Sequence, residues 1–171
     1  IQLKALAKIN LGLDVLRRRE DGYHEVKMIM QTIGLHDDLE IRRTKTPGIQ
    51  VKTNLYYLPT NENNLVYKAA KLLMDEFDIQ DGVSIQLKKR IPVAAGMAGG
   101  SSDGAAVLWG INQMYGLGLS RQELMDRGVK LGADVPYCIQ RGTALAEGIG
   151  EKLSVLTSMP TCTILIAKPG I

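Results

Sequence analysis

Twelve residues confine what this chain can fold into: Pro92-Val93-Ala94-Ala95-Gly96-Met97-Ala98-Gly99-Gly100-Ser101-Ser102-Asp103. Before them, Val83 to Ile91 alternates as a strand; after them, Ser102 to about Tyr115 reads as a helix. The loop between is nearly free of large side chains. Backbone can therefore come close to a ligand, with several N–H groups converging on one point. The helix behind it adds unpaired amides and the positive end of its dipole. A polyphosphate suits that place, and Ser101 and Ser102 can contact phosphate oxygens or a magnesium ion. No Gly-Lys-Ser/Thr follows at P-loop spacing, and Gly116-x-Gly118 and Gly148-x-Gly150 each lack the third glycine of a dinucleotide loop. On the residues alone, a packing turn remains the other reading.

Around this loop the chain reads as strands over residues 1–54, with Asp21-Gly22 as a tight turn. Asp38 to Thr44 and Ile49 to Thr53 read as a hairpin with Pro47-Gly48 at its tip. Asn61 to Asn64 offer caps to a helix from about Leu65 to Phe77, whose apolar residues recur at helical spacing. Ser120 caps another helix to about Leu131, and Thr143-Ala146 and Thr163-Ala167 return to strand. This order predicts one α+β domain with helices on one sheet face.

Composition excludes several classes. The formal charge is only +3, and the runs Arg17-Arg18-Arg19 and Lys88-Lys89-Arg90 lack interleaved aromatics, so no nucleic-acid partner is expected. No run approaches the ~18 apolar residues of a membrane span. Two cysteines without C-x-x-C spacing exclude a disulfide framework or a cysteine-based zinc site and suit a reducing cytosol.

Lys8 lies inside the apolar strand Ala7-Lys8-Ile9-Asn10, where an unpaired ammonium is costly. Asp134, in Gly132-Ala133-Asp134-Val135-Pro136, lies between a helix end and an apolar strand. Pairing the two would remove both penalties and set a carboxylate beside a cation near the phosphate loop, as phosphoryl transfer to an alcohol requires. Exposed strand-edge positions, or a turn cap for Asp134, account for these residues equally well.

Three segments carry a resemblance over essentially the whole chain: Ala5 to Leu11; Asp21-Gly22-Tyr23-His24-Glu25; and Pro92 to Asp103 with Gly132 to Pro136. They resemble the GHMP kinases. The first two resemble members that use ATP and Mg²⁺ to phosphorylate the 2-hydroxyl of cytidine diphosphate-linked methylerythritol, in the non-mevalonate route to isoprenoid precursors in the bacterial cytoplasm. The resemblance implies Asp134 as general base, Lys8 as its electrostatic partner and Asn10 as an acceptor-positioning residue. It implies a cytidine pocket from Tyr23 and His24, and an ATP site from Asn64, Lys89, Pro92, Gly96, Gly99, Gly100, Ser101 and Ser102. Residues 1–171 would form the N-terminal ATP-binding domain, with a ribosomal-protein-S5 domain 2-like two-layer fold and mixed β-sheet; the family's C-terminal domain would lie outside this chain. Ala94-Ala95 and Met97-Ala98 stand where many relatives carry more glycine or a leucine; alanine still permits close approach of a ligand as long as φ stays negative, which is the expectation here. Mevalonate- or homoserine-type kinases, or a non-catalytic nucleotide- or RNA-binding module of this fold, are the alternatives.

Overall fold

The computed structural model describes residues 1–169. Its elements in chain order are β1 (Gln2–Arg18), β2 (His24–Thr44), β3 (Ile49–Thr53), α1 (Leu65–Glu76), β4 (Gly82–Lys88), α2 (Gly99–Tyr115), α3 (Arg121–Gly128), α4 (Val135–Gln140), β5 (Thr143–Gly148) and β6 (Lys152–Val155). The sheet runs β3-β4-β2-β5-β6, with β1 pairing β2 outside that path. β2 serves two partners: Asp38–Thr44 pairs with β4, and Val26–Gln31 pairs with β5.

Period-two alternation gives the sheet one apolar face. Met30, Leu39, Ile41, Val83, Ile85 and Ala144 are buried there against Val66, Leu73, Leu108 and Ile111 of the helices. Their sequence neighbours Arg42, Gln86 and Lys88 are exposed and form the opposite, polar face. The expected two-layer α+β architecture with a mixed sheet is therefore the one observed. Among the described residues no helix is long and apolar enough to cross a membrane.

Four local expectations are corrected. The segments Asp38–Thr44 and Ile49–Thr53 are not a hairpin: β4 lies between them, antiparallel to β2 and parallel to β3. α1 carries the chain back across the sheet, as a parallel pair requires. Inserting Val83, Ile85 and Leu87 centrally buries them, a gain no local pattern reports. The β2–β3 connection crosses the start of β4 so closely that a Cβ on Gly82 would lie 1.7 Å from the Thr46 carbonyl oxygen, so only glycine fits.

The residues after Asp134 form the short helix α4, not a strand, with Pro136 in the first turn where its missing N–H costs nothing. Thr163–Ala167 forms no strand; Leu165 there is exposed, and an apolar run needs a ladder partner to become one. Finally, α2 begins at Gly99, three residues before the predicted Ser102, which places the glycines inside its first turn.

Candidate active site

The glycine segment lines a cleft of about 430 Å³, together with Asn64, Lys89, Pro92, Asp103 and Asp134. α2 opens without a side-chain cap: Ala98 occupies the N-cap position and makes no capping hydrogen bond. The first amides of the helix are thus left for a ligand, with the dipole favouring an anion. A wider trough of about 970 Å³ crosses the polar sheet face between Lys4, Glu40, Lys52 and Lys88. Neither a helix terminus nor a small-residue loop opens into it, so the smaller cleft is the one suited to a phosphate.

Ala94 and Ala98 correct the expectation of negative φ, at 55° and 54°. Left-handed backbone costs an alanine roughly 1–2 kcal/mol that glycine does not incur. Ala98→Gly is therefore expected to stabilise the fold by about 0.5–1 kcal/mol after glycine's extra unfolded-state entropy is counted, raising the melting temperature by about 1–4 °C. A lower melting temperature in a calorimetric scan would refute this.

Lys8 is buried in β1, and its Nζ lies 3.7 Å from Asp134 Oδ2 and donates to Asn10 Oδ1 at 3.1 Å. Asp134 sits at the N-cap of α4, but its side chain makes no capping bond; it is turned to Lys8 and lines the cleft. The turn-cap reading of Asp134 is thereby removed. The Lys8 N–H also donates to the Met97 carbonyl at 3.2 Å, tying β1 to the loop.

A second buried cation stands under the loop. Lys89 Nζ pairs with Asp37 and, at 2.7 Å, with Asp103 Oδ2. Asp37 Oδ1 also accepts from the Arg90 and Ile91 amides at 2.5 and 2.8 Å, which fixes the chain entering the loop. Asp103 Oδ1 has no partner among the described residues. Burial pushes the Asp103 carboxyl up to about 8; Lys89 opposes the shift and Asp37 adds to it. One ammonium between two buried carboxyls is neutral when one of them holds a proton, and Asp103 is that one. A Cβ on Gly99 would lie 3.1 Å from Lys89 Nζ, so glycine is what lets the helix start rest on this cluster.

The site residues inferred from sequence divide accordingly. Lys8, Asn10 and Asp134 come together; Pro92, Gly96, Gly99, Gly100 and Ser101 line the cleft. Asn64 lines it too, while capping α1 by accepting from the Val66 amide at 3.0 Å. Lys89 reaches the cleft floor as part of the charge cluster. Ser102 does not line the cleft; its hydroxyl donates to the Leu6 carbonyl, fastening α2 to β1. Tyr23 and His24 stand exposed at the tip of the β1–β2 hairpin, where His24 pairs with Arg18 while Asn10 pairs with Met30. At ~3.3 Å per residue this is up to roughly 26 Å along the strand, shortened by the bulges between. They do not line the cleft. Sequence reasoning missed Asp37 and Asp103. The signal was present for Asp37: it alternates in phase with Leu39 and Ile41, so it points at the core and must have a partner.

Residues 64–142 match the GHMP kinases N-terminal domain, a span that begins at the α1 cap and includes the loop, α2 and Asp134. Over all 171 residues it is 61% identical to a protein of Lachnoclostridium phytofermentans and 58% identical to one of Lachnospira eligens, both named 4-diphosphocytidyl-2-C-methyl-D-erythritol kinase. The chain spans 59% of the length of each. A crystal structure of 4-(cytidine 5'-diphospho)-2C-methyl-D-erythritol kinase superposes with a TM-score of 0.79 at 38% identity, covering 91% of this chain and 55% of that one. The Methanococcus jannaschii mevalonate kinase, at 17% identity and a TM-score of 0.71, covers 92% of this chain and 56% of that one; it shares the fold.

Proposed function

We propose that residues 1–171 supply the nucleotide-gripping and proton-accepting part of an ATP-dependent kinase acting in the bacterial cytoplasm. Its acceptor is the 2-hydroxyl of 4-diphosphocytidyl-2-C-methyl-D-erythritol. One observation carries the reaction type: the Lys8–Asp134 pair at 3.7 Å stands in the same cleft as an uncapped helix N-terminus. The acceptor choice rests on whole-chain identity to proteins of that name.

In this reading the ATP phosphates lie over the amides of Gly99, Gly100 and Ser101. Asp134 takes the proton from the acceptor hydroxyl as its oxygen bonds to the γ-phosphorus and the bridging oxygen leaves with ADP. Lys8 keeps that carboxylate aimed, and Asn10 holds Lys8. Among the described residues no cluster of three or more His, Cys, Asp or Glu could cage an ion. This fits magnesium arriving on the nucleotide, since Mg²⁺ keeps several waters and binds largely through substrate phosphates. The Ser101 hydroxyl, which lines the cleft, would be the protein oxygen available to it, and the ion when bound would offset phosphate charge. Tyr23 and His24 hold the cytosine by stacking and hydrogen bonding, which requires the acceptor or the hairpin to span the distance from Asp134. The remaining part of the acceptor site belongs to the further length present in the relatives.

Titrations with ATP, CTP and CDP, followed by thermal shift, test this. Stabilisation by ATP and by a cytidine nucleotide in additive fashion is expected, since the two occupy different places. Stabilisation by ATP alone would reject the acceptor assignment; none with any nucleotide would reject the phosphate site.

A further inference from the structure

α2 is buried on nearly all sides: from Ser102 to Asn112 every residue but one is buried, and the exception is Trp109, 41% exposed. An indole half in solvent on so enclosed a helix calls for a partner. Beside it is a cavity of about 350 Å³, lined by Trp109, Arg121, Arg141, Lys4, Leu3 and Ile139 among others, with no Asp or Glu in its wall. This cavity shares no residue with the cleft under the glycine loop.

Its cations are uncommitted. Lys4, Arg121 and Arg141 enter no ion pair among the described residues. The Arg141 side chain makes only a long hydrogen bond, at 3.4 Å, to the Lys4 carbonyl of β1. The backbone of Arg141 is strained: φ 64°, ψ −178° is a region that glycine alone occupies freely. Strain of about 1–3 kcal/mol at a residue other than glycine points to a use for its side chain.

We propose that this cavity is a second ligand site, for a compound joining a planar ring to a phosphate and of the size of a nucleoside monophosphate. The indole face stacks the ring, as aromatic side chains do with bases. The two guanidinium forks take the phosphate oxygens, a geometry that arginine matches with paired hydrogen bonds. A volume of about 350 Å³ holds a molecule of that size.

The reporter is built in, because Trp109 is the sole tryptophan of the 171-residue chain. Tryptophan fluorescence is followed during titration with AMP, adenosine and inorganic phosphate separately. AMP is expected to change the emission saturably, with adenosine and phosphate each needing at least about tenfold more, since each lacks one of the two contacts. Arg121→Ala is expected to weaken the AMP response at least about tenfold and to leave the thermal shift by ATP unchanged. Arg141→Gly is expected to weaken it similarly while raising the melting temperature, because glycine relieves the strained backbone. An AMP response that survives both substitutions arises from elsewhere and overturns the proposal. So does no response to AMP, or a response that adenosine reproduces at the same concentration.

Discussion

Asp134→Asn, in protein extended to the length of its relatives, is expected to lower turnover about 10²–10⁴-fold while ATP affinity is unchanged. The range is what a positioned general base contributes, about 3–5 kcal/mol of barrier. Asparagine keeps the size of the side chain and cannot accept the hydroxyl proton. Lys8 loses its carboxylate but keeps Asn10 Oδ1 at 3.1 Å, and Asp134 is partly solvated, so the fold should survive with a small loss of stability. Single-turnover kinetics beside ATP calorimetry separate the two effects. Wild-type turnover would remove Asp134 from the mechanism. A parallel loss of ATP binding would make it a phosphate-site residue.

Lys89→Ala is expected to destabilise the domain by about 3–5 kcal/mol, the usual consequence of stripping one partner from a buried ion pair. Asp37 and Asp103 are both buried, and without the ammonium the Asp37 carboxylate is left without its cation beside the Asp103 carboxyl. Against a total stability of ~5–15 kcal/mol, that loss lowers the melting temperature by roughly 6–20 °C. Urea denaturation reads it directly, and a change under about 1 kcal/mol would show that the cluster is solvated.

Asp103→Asn is the contrasting variant, because the carboxyl it replaces is held up to about 8 and is neutral at lower pH. The folded state keeps a proton there that the unfolded chain releases above ~4. This group's contribution therefore falls as pH rises from ~4 to ~8 and is constant above. The asparagine variant should show a flatter stability profile across that window. An identical slope in both proteins would mean that Asp103 is ionised throughout.

Both effects concern residues of unequal legibility. The glycine loop, its flanking strand and helix, the Asp21-Gly22 turn, the Asn64 and Ser120 caps and the alternation of β4 all stand on neighbours within a few positions, and each was readable. Lys8 and Asp134 could be named as charges in apolar surroundings that needed a partner. The pairing itself joins residues that are far apart in sequence, and no period or spacing encodes that.

What the sequence determined by itself was therefore local: element types, a phosphate-suited loop, and the charges that could not be left unpaired. Tertiary structure alone decided that β4 separates β2 from β3, that residues after Asp134 turn into a helix, and that Lys89 belongs to Asp37 and Asp103. It also gave Ala94 and Ala98 left-handed backbone. The physical reason is one of range. Dihedral preference, capping and amphipathic period act over a handful of residues, whereas burial on both edges of a strand and neutralisation of an enclosed charge depend on groups that only packing brings together.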